Sequence, residues 1–169
     1  MIFIKTFILL SIFLASIRMG KIIAKKYSNR VEELRNMKNA LNMFLTKIKF
    51  TYEAVPVSFS EIGANVSGNV GKIFKTASEN MQEKSAGEAW EEAIEQTDTS
   101  FTKEDKDIIK SLGKLLGKTD IDGQISEIKL VQNFLNTQID LAEKEKQKNE
   151  KLYKTLGGVV GLAIVIILV

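Results

Sequence analysis

Hydrophobic residues concentrate at the two ends of this chain, and a mixed polar and apolar pattern fills the middle. The first apolar run covers residues 7–17, and residues 1–4 extend it toward the N-terminus with Lys5 between them. The second run covers residues 156–169 and reaches 18 residues if it is counted from Leu152, which is roughly 27 Å of helix. These lengths suit helices in a bilayer, so the pattern predicts a transmembrane segment at each end. Because the second run is short, a peripheral hairpin anchor is the alternative.

Between the two runs, apolar residues recur at steps of three and four, which is typical of amphipathic helices. One such row begins the middle region: Leu34, Met37, Leu41, Phe44 and Ile48. A second row begins after Thr119-Asp120 and consists of Ile121, Ile125, Ile128, Val131, Leu135, Ile139 and Ala142. The polar residues 143–151 follow this row, and we interpret them as a solvated helical segment that continues the same helix into the second apolar run. We therefore predict an all-α fold. It is a six-helix antiparallel bundle with a transmembrane helix at each end, and its last helix is long and continuous into the membrane.

Helix starts and stops are predicted from capping residues. Two pairs have the spacing of a capping box, Ser58 with Glu61 and Ser85 with Glu88, and the segment from Thr102 to Asp105 is predicted to cap a further helix. These segments predict the starts of the second, fourth and fifth helices. Pro56 is predicted to end the first helical region and to open a turn. Residues 67–71 are predicted to interrupt the helices, and Gly117 is predicted to stop the fifth helix.

Basic residues lie on the inner side of both apolar runs. After the first run come Arg18, Lys21, Lys25, Lys26 and Arg30, and before the second come Lys148, Lys151 and Lys154. Flanking Lys and Arg stay on the cytoplasmic side of a membrane. We predict an N-terminal anchor with its basic flank at 1–26, a cytoplasmic helical bundle at 27–150, and a C-terminal transmembrane helix at 151–169. We expect both chain termini to lie on the outer side of the membrane, away from the cytoplasm. The same basic cluster opposes export, so an uncleaved anchor is favoured over a signal peptide.

The charge balance separates the ends from the middle. The first 30 residues carry six Lys or Arg and no acid, which leaves 18 of the 24 basic residues against 21 acids in the rest. The basic excess can meet anionic lipid, whereas the acidic remainder is a poor match for nucleic acid. We predict no nucleic-acid partner.

Several kinds of chemistry are excluded or disfavoured by residue content. The chain has no Cys and no His, which removes disulfides, the usual zinc ligands and the commonest general base. Residues 113–119 resemble a phosphate-binding loop, but only three residues separate Gly113 from Gly117 where that loop needs four. We predict no cofactor, no small-molecule substrate and no enzymatic activity.

Acidic residues concentrate on the predicted fourth helix. Four of them share part of one helix surface by their spacing: Glu88, Glu91, Glu92 and Glu95. A solvated face is the simple interpretation, and a docking surface for a basic partner is the functional one. Trp90, the only tryptophan, is predicted to lie in the core, as are Leu112 and Leu116.

Gly157 and Gly161 form a G-x-x-x-G pattern in the second apolar run. Small residues at this spacing let membrane helices approach closely. Ser11, Ala15 and Ser16 of the first run are the candidate counterparts. Packing between the two spans of one chain and packing against another subunit both remain open.

In their order along the chain, these features resemble the stage III sporulation protein AB family of endospore-forming bacteria. The resemblance covers nearly the whole chain and is carried by Arg30, Leu34-Arg35, Ala40-Leu41, Val55-Pro56-Val57, Glu61, Trp90, Leu112-Gly113, Leu116-Gly117, Asp120, Gln124 and residues 151–158. The turn reads Val-Pro-Val where the family usually has Thr-Pro-Leu. The helical domain of that family is similar to the cytoplasmic domain of type II secretion system protein F.

The resemblance implies a function that residue patterns alone do not show. It implies a non-enzymatic membrane platform in a secretion-like complex between mother cell and forespore. Such a platform links a cytoplasmic secretion-type ATPase to other membrane subunits. Its helical domain is expected on the mother-cell side of the membrane, and the chain is a possible homo-oligomer. The alternative is an unrelated membrane-anchored helical adaptor or receptor-like module.

Overall fold

The computed structural model describes residues 2–168, apart from the side chains of residues 2, 5 and 6. Six α-helices follow one another, and the described residues contain no strand. The helices are α1 (Ile2–Phe50), α2 (Val55–Asn65), α3 (Gly68–Asn80), α4 (Ala86–Gln96), α5 (Lys103–Ser111) and α6 (Ile121–Leu168). A 3₁₀ turn, Leu112–Lys114, follows α5. The predicted all-α fold of six helices is confirmed, while Met1 and Val169, the outer ends of the predicted spans, lie outside the described residues.

The chain forms two compact units. The paired-helix unit contains Met1–Val31 and Leu141–Val169, which belong to the first part of α1 and the last part of α6. The bundle unit is Glu32–Asp140 and contains α2 to α5 with the remaining parts of α1 and α6. By length and composition, α1 and α6 are both able to cross a membrane.

The core of the bundle unit is built on the apolar row that the sequence predicts for α1. Every member of that row is at most 4% exposed: Leu34, Met37, Leu41, Phe44 and Ile48. Aromatic rings from four helices continue the core in a chain of edge-to-face contacts, with centroids 4.8–5.3 Å apart: Phe44, Phe59, Phe74 and Trp90. Such pairs contribute about 0.5–1.5 kcal/mol beyond the burial of apolar area.

The second helix begins earlier than the sequence analysis predicts. Ala54 is its N-cap and Pro56 lies in its first turn, so Pro56 does not open a turn before the helix. The physical reason is that the first turn needs no backbone N–H donor, and the ring of proline already fixes φ at a helical value. Ser58, predicted to cap this helix, lies inside it and is buried, with its Oγ 3.5 Å from a carboxylate oxygen of Glu53.

The capping box predicted for the fourth helix and the cap predicted for the fifth are both confirmed. The Ser85 hydroxyl accepts a hydrogen bond from the Glu88 backbone, and the Glu88 carboxylate accepts one from the Ser85 backbone. Thr102 and Asp105 do the same at α5. Each box satisfies two backbone donors that the helix itself leaves unpaired.

The predicted interruption at residues 67–71 is wrong beyond Ser67. The third helix begins at Gly68, so Gly71 is helical. A Cβ atom on Gly71 would lie 1.8 Å from the carbonyl oxygen of Val66, so only glycine fits at this contact between α2 and α3. The prediction that Gly117 stops the fifth helix is also wrong, because α5 ends at Ser111 and the 3₁₀ turn ends at Lys114. Gly117 lies in the turn that follows, with a φ of 71° that favours glycine.

Candidate functional site

The two predicted spans pack against each other through glycines within the paired-helix unit. A Cβ atom on Gly20 of α1 would lie 2.6 Å from the Tyr153 carbonyl oxygen and 2.9 Å from the Gly157 Cα. One on Gly161 would lie 3.0 Å from the side chains of Phe13 and Ser16. The G-x-x-x-G pattern of α6 therefore faces α1 of the same chain. Small residues are needed here because the helix backbones touch.

One interhelical hydrogen bond accompanies this contact. The Ser16 hydroxyl donates to the Gly157 carbonyl oxygen at 2.8 Å. Bonds of this kind between membrane helices contribute about 0.6 kcal/mol on average. Of the other two candidate counterparts, Ser11 donates to Phe7 within α1 and Ala15 is exposed.

The sequence analysis missed Gly20. It lies between Arg18 and Lys21, beyond the apolar run, where we counted only charges. The available signal was a row of small residues at steps of four, Ser16, Gly20 and Ala24, which share one face of α1. Gly20 and Ala24 are both buried.

Polar and aromatic contacts continue the pairing beyond the glycines. The Tyr27 and Tyr153 rings stack with centroids 5.8 Å apart, and the hydrogen bond between their side chains raises the pKa of Tyr27. Arg30, 8% exposed, lies 2.6 Å from a Glu145 carboxylate oxygen. The interpretation of residues 143–151 as a solvated helical segment is confirmed, because these residues lie within the continuous α6 and are all exposed or half-buried. One side of the segment also lies along α1, where the half-exposed Glu145 supplies a carboxylate to the buried Arg30 guanidinium.

The four glutamates of the predicted acidic face differ in their surroundings. Glu88 is bound to its capping box, where the hydrogen bond from the Ser85 hydroxyl holds its pKa below the ordinary value. Glu92 pairs with Lys84, and it also accepts from Asn80 at 3.2 Å and from Gln96 at 3.1 Å.

Glu95 pairs with Lys110 and Lys106 of α5, and those hydrogen bonds, the one from Lys110 first, lower its pKa. Glu91 is exposed and makes no ion pair within the described part of the chain. Lysines of the same unit thus pair with two of the four carboxylates, and the capping box engages Glu88, so that Glu91 alone has neither kind of partner among the described residues.

The predicted core residues line the interior of the bundle unit. Trp90 is fully buried, and its indole Nε1–H donates to the Ile109 carbonyl oxygen at 2.9 Å. Leu112 and Leu116 are each 2% exposed. A hydrogen bond to tryptophan is usual where the ring is buried, because an unpaired N–H would be costly.

A buried carboxylate that the sequence did not single out also lies in this unit. Glu33 is 9% exposed and accepts hydrogen bonds from the Asn69 side chain at 2.8 Å and the Ser100 backbone at 2.6 Å. It ties α1 to the start of α3 and to the loop before α5. Its surroundings give it a structural role. Among the described side chains, no group of three or more acids is placed to hold a metal ion.

Comparison with known proteins decides the family. The family model described as stage III sporulation protein AB matches residues 5–169. The chain belongs to the stage III sporulation protein AB family. A member from Bacillus subtilis (strain 168), described as stage III sporulation protein AB, is 29% identical over 150 residues, which cover 86% of this chain and 88% of the relative.

A solved structure described as stage III sporulation protein AB has the same fold. It matches with a TM-score of 0.66 at 23% identity, over 71% of this chain and 98% of the solved chain. The family predicted from the sequence is confirmed, and so is the all-α architecture. Family membership makes this chain a sporulation protein, and its two apolar helices fit a location in a membrane.

Proposed function

We propose that this chain is a non-enzymatic membrane platform of a secretion-like complex between mother cell and forespore. It links a cytoplasmic secretion-type ATPase to other membrane subunits. The contact of Gly20 with Gly157 is the observation that carries the proposal. It joins two apolar helix segments into one anchor, and α1 and α6 both continue into the bundle unit. A two-helix anchor restrains a domain more firmly than a single flexible tether, which suits a platform.

The charge pattern supports the orientation of this anchor. Exposed Lys and Arg follow the first apolar segment and precede the second. Since such residues stay on the cytoplasmic side, residues 27–150 lie in the mother-cell cytoplasm and both termini lie outside. The domain is then accessible to a cytoplasmic ATPase.

The surface of the bundle unit supports a binding role better than a catalytic one. Its buried carboxylates are held by backbone and amide donors, and its lysine–glutamate pairs lie at the surface. On α4, the exposed Glu91 offers a basic partner an unpaired charge beside the ion-paired Glu92 and Glu95. We propose this part of α4 as the docking surface.

Crosslinking in sporulating cells tests the proposal. A photo-crosslinking residue is placed at Glu91 of the full chain, and in a matched strain at Asp122, an exposed acid at the start of α6. The platform role predicts an adduct with the ATPase or another subunit of the complex from position 91 and none from position 122. Recovery of unrelated proteins alone, from both positions, would favour the membrane-anchored adaptor instead.

A further inference from the structure

Three cations on α1 share a face that does not contact α6. Arg18, Lys21 and Lys25 are spaced by three and four residues and are all exposed. At 100° per residue they lie roughly 100–160° around the helix from Gly20, which touches α6. Their charges are therefore directed outward from the helix pair.

No acid of the paired-helix unit neutralises this face. The first 31 residues contain no Asp or Glu, and the last part of α6 supplies only Glu143, Glu145 and Glu150. Glu145 pairs with Arg30, Glu150 pairs with Lys154, and Glu143 has an interaction of its own. None of these involves Arg18, Lys21 or Lys25. The face thus lacks a counter-charge from the described part of the chain.

Exposed apolar side chains accompany the cations. Leu14 is 52% exposed and Ile22 is 70% exposed, and at 100° per residue both lie within about 100° of each of the three cations around the helix. Apolar surface therefore continues along α1 at the same level as Arg18 and Lys21. Long basic side chains commonly extend from such a surface toward the lipid headgroups.

We propose that Arg18, Lys21 and Lys25 bind the phosphate groups of anionic phospholipids, whose acyl chains contact Leu14 and Ile22. A free phosphate would satisfy the cations but would leave the apolar side chains in water. A phospholipid satisfies both. The inference rests on the proposed membrane anchor and adds to it a preference for one class of lipid.

Lipid retention by the full-length protein tests this proposal. Purified protein is equilibrated with mixed micelles of phosphatidylglycerol and phosphatidylcholine in equal amounts and recaptured, and the bound phospholipids are quantified by mass spectrometry. Wild type should retain phosphatidylglycerol preferentially. Removing cations should weaken this binding by roughly five-fold for each one, because a basic residue near an anionic surface contributes about that factor.

The variant Arg18→Gln/Lys21→Gln/Lys25→Gln is compared with Lys72→Gln/Lys75→Gln/Lys103→Gln, which removes three exposed lysines of the bundle unit. The first should retain both lipids in their bulk ratio, and the second should match wild type. Lys21→Arg/Lys25→Arg keeps the positive charges and should retain phosphatidylglycerol as wild type does. This variant shows that substitution on this face does not by itself abolish lipid binding.

Three results would overturn the proposal. They are equal retention of both lipids by wild type, an unchanged preference in the triple variant, and displacement of phosphatidylglycerol by inorganic phosphate alone, which would indicate a free-phosphate site. Alkaline extraction of membranes separates these results from a failure of the anchor, because a protein without the lipid preference still stays in the membrane fraction if its helices are inserted.

Discussion

The backbones of Gly20 and Gly157 touch, so that a Cβ atom on Gly157 would lie 3.1 Å from the Cα of Gly20 and 2.9 Å from the carbonyl oxygen of Ser16. Gly158, the next residue, faces open space, with nothing within 4 Å of where its Cβ would lie. The two neighbouring glycines therefore form a natural pair of test and control.

Gly157→Leu should separate the helix pair, whereas Gly158→Leu should leave it intact. Forcing a side chain into a filled contact costs roughly 1–3 kcal/mol. The measurement is crosslinking of Tyr27→Cys with Tyr153→Cys by a short bis-maleimide, in a chain that otherwise has no cysteine. The crosslink should form in the Gly158→Leu background and be lost in the Gly157→Leu background. Equal yields in both would show that the glycine contact does not hold the pair together.

Local patterns predicted the helices well, because they depend on neighbours along the chain. The capping box of Ser85 with Glu88 and the apolar row from Leu34 to Ile48 are both encoded within a few turns. Glycine was harder to interpret. The same residue type allows a turn with positive φ at Gly117 and permits a close contact with the end of α2 at Gly71, and only the position of α2 distinguishes the two roles.

Contacts between distant parts of the sequence could not be predicted in the same way. Glu95 neutralises Lys110 because α5 lies beside α4, and the backbone N–H of Ser100 reaches Glu33, which is 67 residues away. Nothing in the spacing of the acids on α4 distinguishes Glu95 from Glu91. The charge balance of the candidate docking surface therefore follows from the packing of helices and not from the sequence of one helix.

Trp90→Ala should strongly destabilise the bundle. The expected loss is roughly 3–5 kcal/mol for removal of a buried aromatic ring. Trp90→Phe should cost less, because it keeps much of the ring but leaves the Ile109 carbonyl without its donor, a loss of about 1–3 kcal/mol. Residues 27–150, which contain the whole bundle unit, are expected to fold alone. Urea unfolding followed by circular dichroism gives both values, and a near-neutral Trp90→Ala would contradict a core role.

The ion pairs of Glu95 should make stability depend on pH. Hydrogen bonds from Lys110 and Lys106 hold the pKa of Glu95 below its ordinary value of 4.5 in the folded state. The stabilisation is therefore present above pH 4.5 and is lost as the pH falls through the lower, folded-state pKa. Glu95→Gln should lower the urea midpoint at neutral pH and have a diminishing effect in acid. Glu91→Gln removes an exposed carboxylate without an ion pair, so the urea midpoint of this variant should stay close to that of wild type at every pH.

Reporter fusions should place the two ends of the chain outside the cytoplasm. Along the sequence, the basic clusters after residue 17 and before residue 156 both lie between an apolar run and residues 32–140. A reporter active only in the cytoplasm should give signal when inserted near Asp98, in the loop between α4 and α5, and a reporter active only outside should give signal at residue 1 and at residue 169. An external signal from the central insertion would invert the proposed orientation. Signals from the same side at all three positions would instead support the peripheral anchor.

The acidic surface of α4 is best tested at Glu91. Glu92→Lys with Glu95→Lys is the obvious charge reversal, but Glu95→Lys places a third cation against Lys106 and Lys110. Any loss of partner binding by that double variant could then reflect disturbed packing of α5. Glu91→Lys avoids this problem, because Glu91 makes no ion pair within the described residues.

Glu91→Lys should leave the urea midpoint nearly unchanged and weaken recovery of the partner from sporulating cells. The loss should be largest at low ionic strength and shrink in high salt, since exposed charges are screened over about 10 Å at 0.1 M. Asp122→Lys, the same charge change at the start of α6, serves as the control. If a folded Glu91→Lys protein recovers as much partner as Asp122→Lys at low salt, the carboxylates of α4 form a solvated face, and the docking surface must lie elsewhere on the bundle.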